Sequence, residues 1–219
     1  MAAACKRTFG FVLVVALFAV GAAGCSAAYY RALETIGVEK RDILVDRVED
    51  ARDAQDAAKE QFQSALDQYR SVVAFEGGDL EDMYDRLNGS YEASERRARI
   101  VTERIDAIER VAGDLFDEWE AELDEYSDPG LRRQSERLLT ETRARYGDVV
   151  AAMRRAESAM SPVLELFQDQ VLFLRHNLNA RAIGALETEL DAIEEATSEL
   201  IAEMERAIAE ASDFIRAMG

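Results

Sequence analysis

Few side chains in this 219-residue chain could do covalent or acid–base chemistry, apart from its carboxylates. It has one histidine, His176, and two cysteines, Cys5 and Cys25. A metal site built on several histidines or cysteines, and a histidine-based triad with a free cysteine, are therefore excluded. Phe173 lies three residues before His176, so the Glu-x-x-His pattern of di-iron bundles is absent. We expect neither an enzyme nor a cofactor.

One acidic stretch differs from the mixed charge of the remaining chain. It contains eight acids and no base, around Trp119 and Tyr126: Asp114, Asp117, Glu118, Glu120, Glu122, Asp124, Glu125 and Asp128. The acids fall at a predicted helix C-terminus, where the helix dipole disfavours negative charge. Either Arg132 and Arg133, just across the next turn, neutralise them, or they form a docking surface or a weak divalent-cation surface.

The first residues have the pattern of a secretory signal. The basic pair Lys6-Arg7 precedes an apolar run, Phe9 to Val20, and the small residues 21–24. The apolar run is too short for a comfortable transmembrane helix. The segment Ala22-Ala23-Gly24-Cys25 then resembles the lipobox of bacterial lipoproteins, although Ala22 occupies the position where leucine is usual.

The lipobox resemblance implies cleavage before Cys25 and acylation of its thiol. It accounts for a lone cysteine in an exported protein, because Cys5 is removed. Acyl chains bury about 0.8 kcal/mol per methylene, and more than one chain gives stable anchoring. Ser26 is not the aspartate that retains enterobacterial lipoproteins at the inner membrane, which implies the periplasmic face of the outer membrane. The alternative is ordinary signal cleavage near Ala23 or Ala27.

The net charge restricts the partners. The chain has a formal charge of -18, and removal of residues 1–24 takes away two bases and no acid, which leaves about -20. Such a chain repels nucleic acid and anionic lipid surfaces. We therefore expect attachment to the membrane through the N-terminal lipid, an envelope protein or a second copy as partner, and no binding of nucleic acid.

Apolar residues recur at steps of three and four along four segments, as in heptad seams. The first segment begins at Glu39, has Gln55 as its polar exception and ends at Gly77-Gly78. The second, predicted to be capped by Asp79, is sustained from Tyr84 to Tyr126. The first seam is predicted to comprise Leu44, Val48, Ala51, Ala58, Phe62, Ala65, Tyr69 and Val72.

A turn at Ser127-Asp128-Pro129-Gly130 precedes the third helix, with Asp128 as the predicted cap and Pro129 in the first helical position. We favour one kinked helix through Pro162, with a break there as the alternative. The third seam is predicted at Leu138, Thr142, Tyr146, Val149, Met153, Ala156, Met160, Val163, Phe167 and Leu174. The fourth is predicted at Ile183, Leu186, Leu190, Ile193, Leu200, Met204, Ile208, Ala211, Phe214 and Met218.

Four helices of similar length joined by short turns predict an all-α fold, an elongated antiparallel up-down four-helix bundle with coiled-coil-like heptad seams. The predicted domains are a lipoprotein signal peptide (1–24), a membrane tether (25–38) and a helical bundle (39–219). The third helix is the basic one, with seven arginines and four acids in residues 131–160. Its arginines are expected to offset repulsion from its acidic neighbours.

Five stretches of the mature chain are distinctive: Ala28-Tyr29-Tyr30 and residues 40–52, 75–80, 131–133 and 169–180. In these stretches the chain resembles a family of proteobacterial lipoproteins, domain of unknown function 2959. The resemblance implies export and this fold, and it brings no established activity. We expect a lipid-anchored periplasmic scaffold or adaptor. The alternatives are a carboxylate-based divalent-cation binder and a ligand-binding bundle with an apolar slot lined by tyrosine, methionine and phenylalanine.

Overall fold

The structure, a computed structural model, describes residues 40–74, 79–177 and 180–218. It divides the chain into two units, Met1–Ile43 and Leu44–Gly219. The predicted signal peptide, Cys25, the tether and Gly77-Gly78 lie outside the described residues. Within the described ranges there are four α-helices, one 3₁₀ turn (Leu123–Glu125) and no strand. The helices are α1 Lys40–Val73, α2 Leu80–Glu122, α3 Pro129–His176 and α4 Ala180–Met218.

Helices α1 and α3 run parallel to each other. The side-chain amide of Gln55 donates to the Met153 carbonyl over 3.3 Å, and the rings of Tyr69 and Phe167 meet edge to face at 6.0 Å. Both pairs have the same offset of 98 residues, as two parallel helices in constant register require.

Helices α2 and α4 run antiparallel to α3. Trp119 contacts Ser135 and Asp106 contacts Arg154, so residue numbers fall along α2 as they rise along α3. Residues 145–149 of α3 lie beside 210–217 of α4, and residues 151–159 lie beside 199–206. The predicted all-α, up-down four-helix bundle is therefore confirmed.

The predicted seam of α1 is fully buried. Its apolar residues from Leu44 to Val72 are all 0% exposed, and so is Gln55. Removing each large aliphatic or aromatic side chain from water contributes about 1.5–3 kcal/mol. Burial raises the pKa of Tyr69 above its ordinary value. The tyrosine hydroxyl therefore stays protonated and donates a 2.8 Å hydrogen bond to the Leu186 carbonyl, which ties α1 to α4.

Replacing Gln55 with leucine is expected to raise the free energy of unfolding by about 1 kcal/mol. Among the described residues, its side-chain oxygen has no hydrogen-bond partner, and such a buried acceptor is costly. Thermal unfolding followed by circular dichroism measures the change. The control is Gln63→Leu, on the exposed side of the same helix. A melting temperature of the Gln55 variant below that of wild type would contradict the prediction.

Both predicted N-caps are present. The Asp79 carboxylate accepts from the Glu81 amide over 2.9 Å, and the Asp128 carboxylate accepts from the amides of Gly130 and Leu131. A side chain at position 130 would bring its Cβ within 3.0 Å of the Asp128 carboxylate. Glycine therefore leaves room for this cap, with Pro129 in the first turn.

The structure differs from the predicted seams at several positions. Helix α2 ends at Glu122, and Tyr126, which was placed on its seam, is 42% exposed. Leu138 is 48% exposed, whereas its neighbour Leu139 is buried. Thr197 is fully buried in α4 and was left out of the predicted seam because it is polar.

Helix α3 continues through Pro162, so the prediction of one helix is confirmed against the alternative of a break. Proline lacks the amide that would bond to the Ser158 carbonyl. Ser158 and Pro162 are both exposed, so water can satisfy that carbonyl without a break in the helix.

Candidate functional site

The turn between α2 and α3 lies at the same end of the bundle as Leu44 and the C-terminus of α4. The offset of 98 residues between α1 and α3 places Leu44, the first residue of the larger unit, level with Thr142. Helix α4 ends at Met218, and its Ala217 lies beside Arg145. Among residues 44–218, those from 129 to 141 of α3 therefore lie beyond Leu44 and beyond the end of α4. We call residues 114–141, which include the connecting turn, the hairpin tip.

Two leucines of the hairpin tip are exposed although they lie on the core-facing side of α3. Eighteen residues make five complete helical turns, so residues 18 apart point in the same direction. Leu131 is in phase with the buried Val149 and Phe167 in this way, and Leu138 is in phase with the buried Ala156 and Leu174. Leu131 is nevertheless 55% exposed and Leu138 48% exposed. The apolar stripe of α3 thus continues into the hairpin tip with two exposed leucines.

A narrow set of contacts holds the two helices of the hairpin tip together. The Trp119 indole nitrogen donates to the Ser135 hydroxyl over 2.8 Å. At the base of the tip, the rings of Phe116 and Tyr146 meet edge to face at 5.3 Å, and the guanidinium of Arg143 lies 5.1 Å from the centre of the Phe116 ring. These contacts fix the positions of the exposed leucines relative to the acidic residues of α2.

Two of the eight acids singled out in the sequence pair with arginines of α3. Arg132 contacts Asp124 at 3.0 Å, and Arg143 contacts Glu120. The hydrogen bond from Arg143 holds the pKa of Glu120 below its ordinary value. Both pairs are exposed to solvent, which screens them, so they contribute little to stability. Of the two arginines predicted to neutralise the acids, Arg132 pairs with Asp124, and the other arginine that pairs with one of the acids is Arg143 rather than Arg133.

The remaining acids leave the hairpin tip strongly negative. Asp128 caps α3. Within the described ranges, four of the acids form no ion pair within 4.0 Å: Asp114, Asp117, Glu122 and Glu125. Residues 114–141 contain ten acids and three arginines, a formal charge of -7. In the part of the chain that the structure describes, no group of three or more acidic, histidine or cysteine side chains could hold a metal ion.

The other side chains that could take part in a reaction or bind a ligand lie in structural positions. His176 is exposed in the last turn of α3, where a cation would face the negative end of the helix dipole. The described residues that line a groove of about 730 Å³ between α3 and α4 include no tyrosine, methionine or phenylalanine. Its lining comprises Ala151, Arg154, Arg155, Ser158, Ala159, Glu199, Ala202, Glu203 and Arg206.

Arg154 is an ion-pair centre that the sequence did not single out. Its guanidinium contacts Asp106 at 2.6 Å and Glu109 at 2.7 Å on α2, and Glu157 at 2.7 Å on its own helix. Hydrogen bonding to Glu109 is the main cause that raises its pKa above the ordinary value. The sequence indicated only that residues 131–160 contain seven arginines. The spacing of charges does not show that Arg154 is the one that faces α2.

A family model described as "Protein of unknown function (DUF2959)" matches residues 29–218. The match includes every described residue and therefore the whole hairpin tip. No curated protein matches the chain. None of the described helices combines the length and apolar character needed to cross a membrane.

Proposed function

Since this chain belongs to the DUF2959 family, whose description names no activity, we propose its role from its sequence and geometry. The protein is a lipid-anchored helical scaffold or adaptor of the bacterial cell envelope. It faces the periplasm, at the outer rather than the inner membrane. It acts by binding another protein and not by catalysis.

The exposed leucines of the hairpin tip carry this proposal. Leu131 and Leu138 continue the buried stripe of α3 into the hairpin tip, where they are 55% and 48% exposed. Exposed apolar side chains grouped on one face mark surfaces for protein association more often than scattered single ones do. Two leucines on one face, two helical turns apart, form such a group.

The lipid anchor rests on the N-terminal sequence. Ala22-Ala23-Gly24-Cys25 ends in the one cysteine that follows the small-residue run, and a basic pair and an apolar segment precede it. Because the mature chain is acidic, anionic lipids repel it and its charge cannot hold it at the membrane. Two acyl chains on Cys25 would give stable attachment. A tethered, rigid bundle with an exposed docking face fits a scaffold better than a freely diffusing enzyme.

Photocrosslinking in intact cells tests the scaffold role. A benzophenone amino acid placed at position 138 is expected to give a discrete crosslinked product of defined mass. The same amino acid at Gln168, an exposed position of the same helix outside the hairpin tip, is expected to give none. Equal products at both positions, or no product at position 138 in folded and processed protein, would contradict a docking function for the tip.

A further inference from the structure

Asn88 is followed by Gly89 in α2, and we propose that this pair is a site of spontaneous covalent modification. The side-chain amide of Asn88 is converted to a carboxylate, in part as β-linked isoaspartate. The reaction takes place when the first turns of α2 open, and its co-reactant is water. It changes the start of α2, at the opposite end of that helix from the hairpin tip.

The conversion has two steps and requires no cofactor. The amide nitrogen of Gly89 gives its proton to water and attacks the side-chain carbonyl carbon of Asn88. A new carbon–nitrogen bond forms, and the side-chain nitrogen takes up a proton and leaves as ammonia. Water then opens the cyclic imide at either of its carbonyls, which gives aspartate or isoaspartate. Glycine favours ring closure because it has no side chain to obstruct the approach of its nitrogen.

Gly89 weakens α2 at this point without a gain in packing. A Cβ atom at this position would meet nothing within 4 Å, and the residue is exposed. A glycine inside a helix is less favourable than alanine, because it loses more backbone entropy on folding. The dipeptide therefore combines the residue that reacts most readily with a helix position that opens more easily.

The part of α2 that precedes Gly89 is held by few buried contacts. Among the described residues 80–88, only Leu87 is buried. From Ser90 onward the helix is tied to α1, because the Ser90 carbonyl accepts from the side-chain amide of Gln61 over 3.4 Å. Segments with few buried contacts open at low free energy while the rest of a fold persists. The first turns of α2 are such a segment.

The closed helix protects Asn88 from the reaction. In an α-helix the amide of Gly89 is bonded to the carbonyl four residues earlier, so its nitrogen is not free to attack. The side chain of Asn88 is also held, because it donates to the Glu92 carboxylate over 2.9 Å. Asp79 keeps these turns closed as the N-cap, since its carboxylate accepts from the Glu81 amide over 2.9 Å. The rate of conversion therefore follows the opening of the first turns.

Isoaspartate at position 88 moves the start of α2 to Ser90. Its main chain has an additional carbon, which interrupts the helical hydrogen bonds at this residue. Serine is a favoured N-cap, and Glu92 then lies in the first turn, where negative charge is favourable. The peptide bond after Arg86 loses the protection of the helix and becomes accessible to trypsin.

Peptide mapping of the purified, folded, full-length protein after incubation at 37 °C and neutral pH tests the inference. Complete digestion with trypsin releases residues 87–96, in which Asn88 is the one amide side chain. Mass spectrometry detects its conversion, and an isoaspartyl methyltransferase assay identifies the β-linked form. The internal control is the peptide 176–181, whose two asparagines precede leucine and alanine. It is expected to stay unchanged while residues 87–96 convert.

Variants separate local opening of α2 from other causes. Asp79→Ala removes the cap of α2 and is expected to raise the conversion rate about fivefold, the factor to which a typical N-cap corresponds. Asp128→Ala removes the cap of α3 instead and is the matched control, expected to convert at the wild-type rate. Gly89→Ala is expected to lower the rate at least about tenfold. Circular dichroism confirms that each variant is folded.

Three results would overturn the inference. The first is an unchanged protein, in both wild type and the Asp79 variant, after the time in which the synthetic peptide 87–96 converts completely. The second is an equal increase in rate for the two cap variants, which would mean that global unfolding controls the reaction. The third is converted protein in which limited digestion with trypsin cuts after Arg86 no faster than in the unconverted protein, since the start of α2 would then be unchanged.

Discussion

Replacing Ile105 with aspartate is expected to unfold the bundle at ambient temperature. Ile105 is 0% exposed in α2, and its seam neighbours Val101, Ile108 and Ala112 are buried as well. An aspartate there either stays charged without a partner or takes up a proton in an apolar site, and it also loses the packing of the isoleucine. The combined loss of unfolding free energy, several kcal/mol, is comparable with the 5–15 kcal/mol by which domains are typically stable.

Circular dichroism measures this effect as loss of helix at 25 °C, or as a fall in melting temperature of 15 °C or more if some fold persists. The control is Gly89→Asp in the same helix, which adds the same side chain and charge at an exposed position with open space around it. This variant is expected to melt close to wild type. Matching melting curves for the Ile105 variant and wild type would show that the seam of α2 is wrongly assigned.

Replacing Cys25 with serine is expected to abolish membrane anchoring. The proposal makes this thiol the attachment point of the lipid, and among the described residues no helix could cross a membrane. Since stable anchoring requires more than one acyl chain, loss of the acylation site should leave almost no protein in membranes washed with carbonate. The protein should be found in the soluble periplasm, or it should accumulate as an unprocessed precursor.

Fractionation and metabolic labelling with a palmitate analogue measure the two parts of this prediction. Wild type should incorporate the label and the Cys25 variant should not. Cys5→Ser is the control, because Cys5 lies in the segment predicted to be removed. A mature Cys25 variant that stays in washed membranes at the wild-type level would mean that another element holds the protein there.

The sequence was sufficient to predict the elements and most of the core, because both depend on local rules. The seam of α1 was predicted residue by residue, including Gln55 as its polar member, and all of it is buried. Asp79 and Asp128 were predicted as caps from their positions before apolar periodic runs, and each accepts a backbone hydrogen bond there. Burial and capping repeat with the helical period, so spacing alone reveals them.

What could not be predicted depends on where helices end relative to one another. Periodicity placed Leu138 on the core-facing side of α3, and that direction is right. Its exposure depends on what packs against that part of α3, which the spacing of residues within α3 does not show. Thr197 was missed because it is a polar residue at a buried seam position, and the search followed apolar residues. The ion-pair partners of Arg154 depend on how α3 is rotated about its axis relative to α2. The number of charges in the sequence does not show this rotation.

The parallel course of α1 and α3 also determines how the bundle would respond to mechanical load. Leu44, where the chain enters the larger unit, is level with Thr142 and thus lies at the end of the bundle that carries the hairpin tip. If the proposed lipid anchor and the proposed partner on the tip were pulled apart, the force would enter the larger unit at Leu44. It would peel the layers of the seam apart one after another, whereas a force between opposite ends would shear all the layers together. We expect such a linkage to yield at low force and to re-form when the force ends.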